Sequence, residues 1–152
     1  MLNRGLWAAR IRPLVFPVVM LALLTAFIFW RAPFWAGKPA VFVDASFEQA
    51  ASKAESQNRL LVVDAMASWC GPCKVMDAHT WPKSSVVEWM NAHAVAFQFD
   101  VDKQPELASR FGVSAMPTII VLKGGVEVAR TLGGKSASEL VEWLESVRAR
   151  AG

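Results

Sequence analysis

Leu60-Leu61-Val62-Val63, followed by Trp69-Cys70-Gly71-Pro72-Cys73-Lys74, is the stretch on which the reading of this chain turns. It holds the only two cysteines of the 152 residues. The apolar run reads as a buried strand, and Gly71-Pro72 turns into a segment with helical potential. A cysteine at a helix start faces backbone N–H groups without helical partners and the positive end of the dipole, which both favour thiolate. The thiolate is the form that attacks disulfides, so this junction points to thiol–disulfide exchange. Three other readings stand beside it. A structural disulfide across a two-residue loop constrains the unfolded chain very little. A zinc site needs about four ligands, and no second C-x-x-C or paired histidines complete one. Chance pairing is the third.

The motif, together with Asp64 six residues before Cys70 and Met116-Pro117-Thr118 downstream, resembles the thioredoxin family across roughly residues 44–149. The resemblance implies an α/β thioredoxin fold, a central mixed sheet of four to five strands flanked by helices. It implies that Cys70 attacks, that Cys73 resolves, and that Asp64 handles the proton of the second cysteine. It also implies a cis Pro117 packed against the cysteines and a Met116 backbone that pairs with an extended substrate strand. Trp69, Gly71 and Pro72 complete the expected substrate rim, and Gly133-Gly134 leaves room for a partner. No metal or organic cofactor is implied beyond the redox-active Cys70–Cys73 pair.

Asp64 lies in an unbroken apolar run, where an ionised carboxylate is costly, so its pKa is expected to rise. Gln98 stands where the best-known thioredoxins place a lysine near this acid, and without that charge Asp64 stays protonated to higher pH. The helix after Cys73 meets Trp81-Pro82 later than in the best-known cytosolic thioredoxins. That layout is more similar to thioredoxin-like domains of periplasmic thiol–disulfide relays. His79, His93 and Lys74 receive no role.

The formal net charge is +3, but Arg4, Arg10, Arg12, Arg31 and Lys38 lie in the first 40 residues with no acidic residue among them. Eleven basic and 13 acidic side chains remain beyond, so the domain itself is mildly acidic and gives no argument for nucleic-acid binding. Pro13 to Trp30 carries no charge, and eighteen residues at about 1.5 Å each just cross a ~30 Å hydrocarbon core. Residues 1–31 are therefore expected to be a basic flank and transmembrane helix, 32–40 a linker, and 41–152 the thioredoxin-like domain. A cleaved signal has the same layout, but no A-x-A site follows the apolar run. Either reading places the domain on the exported side, periplasmic in a bacterium, anchored by one N-terminal helix in the preferred case.

Along the domain, Val41-Phe42-Val43 reads as a weak first strand. Ser46 to Gln49 is a capping box that opens a helix through about Gln57. Leu60 to Met66 is the central strand, and Ser85 to Glu88 a second capping box. Val95 to Val101 is a strand, and Gln104-Pro105-Glu106 starts a helix that stops at Gly112. Thr118 to Leu122, the hairpin turn Gly124-Gly125 and Val126 to Val128 close the sheet. Ser136 to Glu139 caps a final helix whose core face is Leu140, Leu144 and Val147.

The expected activity is a thiol–disulfide oxidoreductase for exported or membrane-proximal proteins, run as a disulfide reductase with a membrane or soluble thiol donor. The alternatives are an oxidase or isomerase of secreted proteins, and a non-catalytic peptide-docking assembly factor.

Overall fold

A computed structural model of the chain describes residues 17–27 and 38–151. The chain divides into two compact units, Met1–Trp35 and Ala36–Gly152. The first contains helix α1 over residues 17–27, with Val18, Leu21 and Leu23 exposed along it. Among the described residues no helix is long and apolar enough to cross a membrane. The expected transmembrane helix, and the membrane-anchored, exported location built on it, are thereby corrected. An apolar composition suffices for a span only where a long enough helix carries it, and the described residues hold none. The rest of the apolar stretch and most of the 32–40 linker lie outside the described residues.

The second unit is built on a four-stranded sheet in the order β2-β1-β3-β4. Its strands are β1 (Leu60–Met66), β2 (Ala94–Asp100), β3 (Thr118–Lys123) and β4 (Val126–Leu132). β1 runs parallel to β2 and antiparallel to β3, and β3 runs antiparallel to β4. The expected strand at Val41 to Val43 is reduced to one bridge, Phe42 to Ala96. Gly124 and Gly125 both take positive φ in the β3–β4 turn, as a two-residue hairpin of primed type requires.

β1 is buried on both faces, and successive side chains sort into two cores. Leu60 and Val62 face Met76, Trp81, Val86, Leu140 and Leu144. These come from α3 (Gly71–His79), the turn after it, α4 (Ser84–His93) and α6 (Ala137–Ala151). Leu61, Val63 and Ala65 face Phe47, Ala50 and Ala54 of α2 (Phe47–Ser56), with partly buried Leu107 and Phe111 at the edge. Leu107 belongs to α5 (Pro105–Arg110). Asp64 has even parity with Leu60 and Val62, so it points into the α3/α4/α6 layer.

The caps follow the sequence at two helices and depart at a third. Ser46 and Gln49 form the reciprocal box of α2. Ser136 Oγ accepts from the Glu139 N–H, and Glu139 Oε2 accepts from the Ser136 N–H at 2.8 Å. At α4 the expected Ser85–Glu88 box does not form, because the helix starts two residues earlier, at Ser84, with Lys83 as an N-cap that makes no side-chain bond. The other end of α4 is held from outside. Arg59 Nη2 donates to the carbonyls of Met90, Asn91 and Ala94, placing a cation on the negative end of the dipole.

Candidate active site

The carboxyl end of β1 feeds directly into α3, so the two cysteines sit at the first turn of a helix launched from the central strand. Cys70 is the N-cap, in an extended conformation, and its Sγ accepts from the Cys73 N–H at 3.2 Å. Gly71 and Pro72 fill the first two helical positions, where proline's fixed φ suits helix entry and its missing N–H leaves no helical bond unmade. Cys70 and Cys73 form a disulfide with Cα atoms 5.3 Å apart.

The pair is enclosed. Cys70 is only 4% exposed and Cys73 2%, with Ala67 between them and the strand and with Met66, Val101 and Met116 packed around. Neighbouring apolar side chains thus close over the disulfide. Exposure belongs instead to the rim: Trp69 is 65% exposed, and Gly71 and Pro72 are exposed beside it. The Trp69 indole is not loose, because its Nε1 donates to Asp102 Oδ2 at 2.7 Å.

The opposite wall comes from the start of β3. The Met116–Pro117 peptide is cis, as the resemblance implied. Gly133 N–H donates to the Pro117 carbonyl at 2.8 Å, and Thr118 Oγ1 donates to the Ala115 carbonyl at 2.6 Å, so the turn is tied on both sides. Gly134 approaches the active-site loop closely. A Cβ there would lie 3.7 Å from Pro72 Cβ, an ordinary contact that fills the space.

One turn along α3 from Cys73, Asp77 joins a polar cluster in an otherwise apolar layer. Asp64 is 2% exposed and stands directly across the parallel β1–β2 ladder from Gln98. Gln98 Nε2 donates to Asp64 Oδ2 at 3.0 Å and to Asp77 Oδ1 at 2.9 Å. Both partners are carboxylate oxygens, so the NH₂ end of the amide is the end that serves them. Asp64 Oδ1 is buried with no hydrogen-bond partner. Burial pushes the Asp64 carboxyl up to about 7, the Gln98 donor opposes that, and the charge of Asp77 adds to it. Trp81, fully buried after α3, brings its indole N–H near enough to favour the ionised form, although no well-formed hydrogen bond results. Asp77, half-buried, is also raised by burial, again opposed by Gln98.

The structure thus places Met116 against Cys70 and Cys73, puts Gly71 and Pro72 in the first turn after Cys70, and links Asp64 to α3 through Gln98 and Asp77. His79 is exposed at the far end of α3. Sequence reasoning missed Asp77, Trp81 and Asp102. Asp77 had a signal, for it follows Cys73 by four residues and shares its helical face. Trp81 and Asp102 had none, since only the tertiary fold brings them to Asp64 and Trp69.

A family model described as Thioredoxin matches residues 38–146. Thioredoxin H2-2 of Oryza sativa subsp. japonica is 40% identical over 88 residues, covering 58% of this chain and 63% of its own length. Thioredoxin H2 of Arabidopsis thaliana is 37% identical over 103 residues, covering 62% of this chain and 68% of its own. The solution structure of a thioredoxin from Thermus thermophilus matches with TM-score 0.63 and 27% identity, over 70% of this chain and 86% of that one.

Proposed function

The chain belongs to the thioredoxin family and its Cys70–Cys73 pair is a thiol–disulfide oxidoreductase centre, and we propose that it runs as a reductase of protein disulfides. One observation carries the direction. Cys70 Sγ, at the N-cap, receives an N–H from the third helical position, while the second position is Pro72 and has none to give. Stabilising the thiolate stabilises the reduced form and makes a couple more oxidising. Withholding one donor does the reverse, so the dithiol gives up its electrons more readily.

In this reading the Cys70 thiolate attacks one sulfur of a substrate disulfide, forming a mixed disulfide and releasing the other substrate sulfur as a thiolate. Cys73 then passes its proton to Asp64 and attacks Cys70 Sγ. The Cys70–Cys73 bond forms, the Cys70–substrate bond breaks, and the second substrate sulfur leaves as a thiolate that takes a proton from water. Two thiols are oxidised and one disulfide is reduced. Asp64 later returns its proton to solvent, and a thiol donor restores the dithiol. Trp69, Gly71, Pro72 and the Met116–Pro117 turn form the rim on which an extended substrate segment lies, with the Met116 backbone pairing to it.

Trapping tests the assignment. A Cys73→Ser variant incubated with reduced carrier and a disulfide-bonded protein such as insulin should accumulate a mixed disulfide through Cys70, while Cys70→Ser should accumulate none and lose turnover. Full insulin reduction by Cys70→Ser would sink the reading.

A further inference from the structure

We propose that Gln98 and Asp77 are positioning residues for the proton transfer: one amide N–H of Gln98 holds Asp64 Oδ2 and the other holds Asp77 Oδ1, so that the unpartnered Asp64 Oδ1 is the atom that takes the proton from Cys73. The proposal rests on Asp64 being the base, as stated above, and adds how that base is held.

The geometry reaches this point in three steps. Asp64 and Gln98 are ladder partners, so their side chains leave the sheet on the same face, towards α3. Cys73, Met76 and Asp77 are spaced three and four apart on α3, the first two buried and the third half-buried, so one helical face carries the resolving cysteine and the second carboxylate a turn apart. Gln98 then bonds both carboxylates at 3.0 and 2.9 Å. This fixes the Asp64 carboxyl to the helix face that carries Cys73. Of the two Asp64 oxygens, Oδ2 is occupied by the amide and Oδ1 is buried and empty-handed. A buried acceptor with no partner is costly, and it becomes satisfied when a proton arrives.

The other groups facing Asp64 fit this division. Trp81, from the turn after α3, offers a neutral N–H, and Ile119 across on β3 is apolar. Asp77 brings a negative charge, which keeps the proton affinity of Asp64 high enough to receive a thiol proton. Gln98 keeps the two acids together without neutralising either, which a cation in its place would do. Asp77 is also the half-exposed member, so the cluster has one edge towards solvent.

The test uses the full chain and two variants with opposite expected signs. Asp77→Asn keeps an acceptor for Gln98 but removes the charge, so the acid limb of the pH–rate profile for release of substrate from the Cys70 mixed disulfide should move to lower pH. Gln98→Leu removes the donor from Asp64, so the same limb should move to higher pH. A merely structural role would lower the rate at every pH with the limb in place, and that result overturns the proposal. Asp64→Asn, run in parallel, separates the two layers. If it leaves the limb intact, the base assignment itself fails. If it abolishes the limb while Asp77→Asn and Gln98→Leu leave it where it was, the positioning proposal fails alone. Should Gln98→Leu not fold, Asp77→Asn decides by itself: an unmoved limb overturns the proposal.

Discussion

Asp64 and Gln98 face one another across the parallel pair of β1 and β2, and the Gln98 amide gives Asp64 a hydrogen bond at 3.0 Å where a lysine would give it a charge. A neutral donor offsets only part of the cost of burying a carboxylate, and the Asp64 pKa stands at about 7 against 3.8 for the unperturbed group. A raised folded-state pKa means that the native state binds the proton more tightly than the unfolded chain does. Stability is then greatest below the unfolded value near 4, falls as pH rises towards 7, and is level above that. About 3 units at ~1.4 kcal/mol each put the ceiling of that loss on the order of 4 kcal/mol.

Replacing Asp64 with Asn should therefore stabilise the protein at pH 8, by up to a few kcal/mol, and change it little at pH 4. Urea unfolding of oxidised protein at the two pH values checks this. An equal effect at both would show that the buried carboxyl does not titrate where burial places it.

The two neighbouring glycines after β4 should behave differently. Gly133 has φ +83°, in the left-handed region, and its N–H holds the Pro117 carbonyl. Gly133→Ala should cost roughly 1 kcal/mol or more in stability. Gly134 carries no such backbone demand, and a Cβ there meets Pro72 only at van der Waals distance. Gly134→Ala should leave the thermal midpoint nearly unchanged. It should raise KM for a protein disulfide and leave a small disulfide such as oxidised glutathione unaffected. Equal effects on both substrates would argue that the space beside Pro72 is not used for protein docking.

Trp69 offers a second handle on docking. Its large exposed ring is steadied by the bond to Asp102, from the loop after β2. Asp102→Ala frees the ring, and a net loss of about 1 kcal/mol corresponds to a roughly fivefold weaker complex. Surface plasmon resonance of Cys73→Ser against a disulfide-containing peptide, with and without Asp102→Ala, reads that difference. An unchanged affinity would assign the Trp69–Asp102 bond to loop stability alone.

Much of this was legible in local sequence because local rules govern it. The β1 run, the Ser46 and Ser136 caps and the Gly124-Gly125 turn are each decided within a few residues. The cysteine motif and its helix start are local as well. The cis Pro117 came from family resemblance, since nothing near Met116 distinguishes it from an ordinary trans bond. The misses are of other kinds. Val41 to Val43 has strand composition but finds one bridge, because pairing depends on a neighbour's reach. Asp102 reaches Trp69 only once β2 lies beside β1. The apolar N-terminal stretch has membrane-like composition, yet no helix among the described residues is long and apolar enough to span a membrane.

The direction of electron flow gives the sharpest test of the whole reading. The dithiol should hold a reduction potential near that of thioredoxin itself, about −270 mV. Pro72 is the residue to change. In Pro72→Ala the second helical position regains an N–H that can point at Cys70 Sγ beside the one from Cys73. An added hydrogen bond to the thiolate, worth about 1 kcal/mol, stabilises the reduced form and should move the potential roughly 20 mV less negative. The thiol pKa of Cys70 should fall in the same variant, because the same bond favours the charged sulfur. Equilibration against dithiothreitol buffers, with thiolate absorbance at 240 nm across pH (roughly the ultraviolet region where thiolate absorbs more than thiol), measures both together. A wild-type potential near the strongly oxidising end, about −120 mV, would make the disulfide the working form and reverse the proposed direction. A potential that moves without the pKa would place the influence of Pro72 on the disulfide rather than on the thiolate.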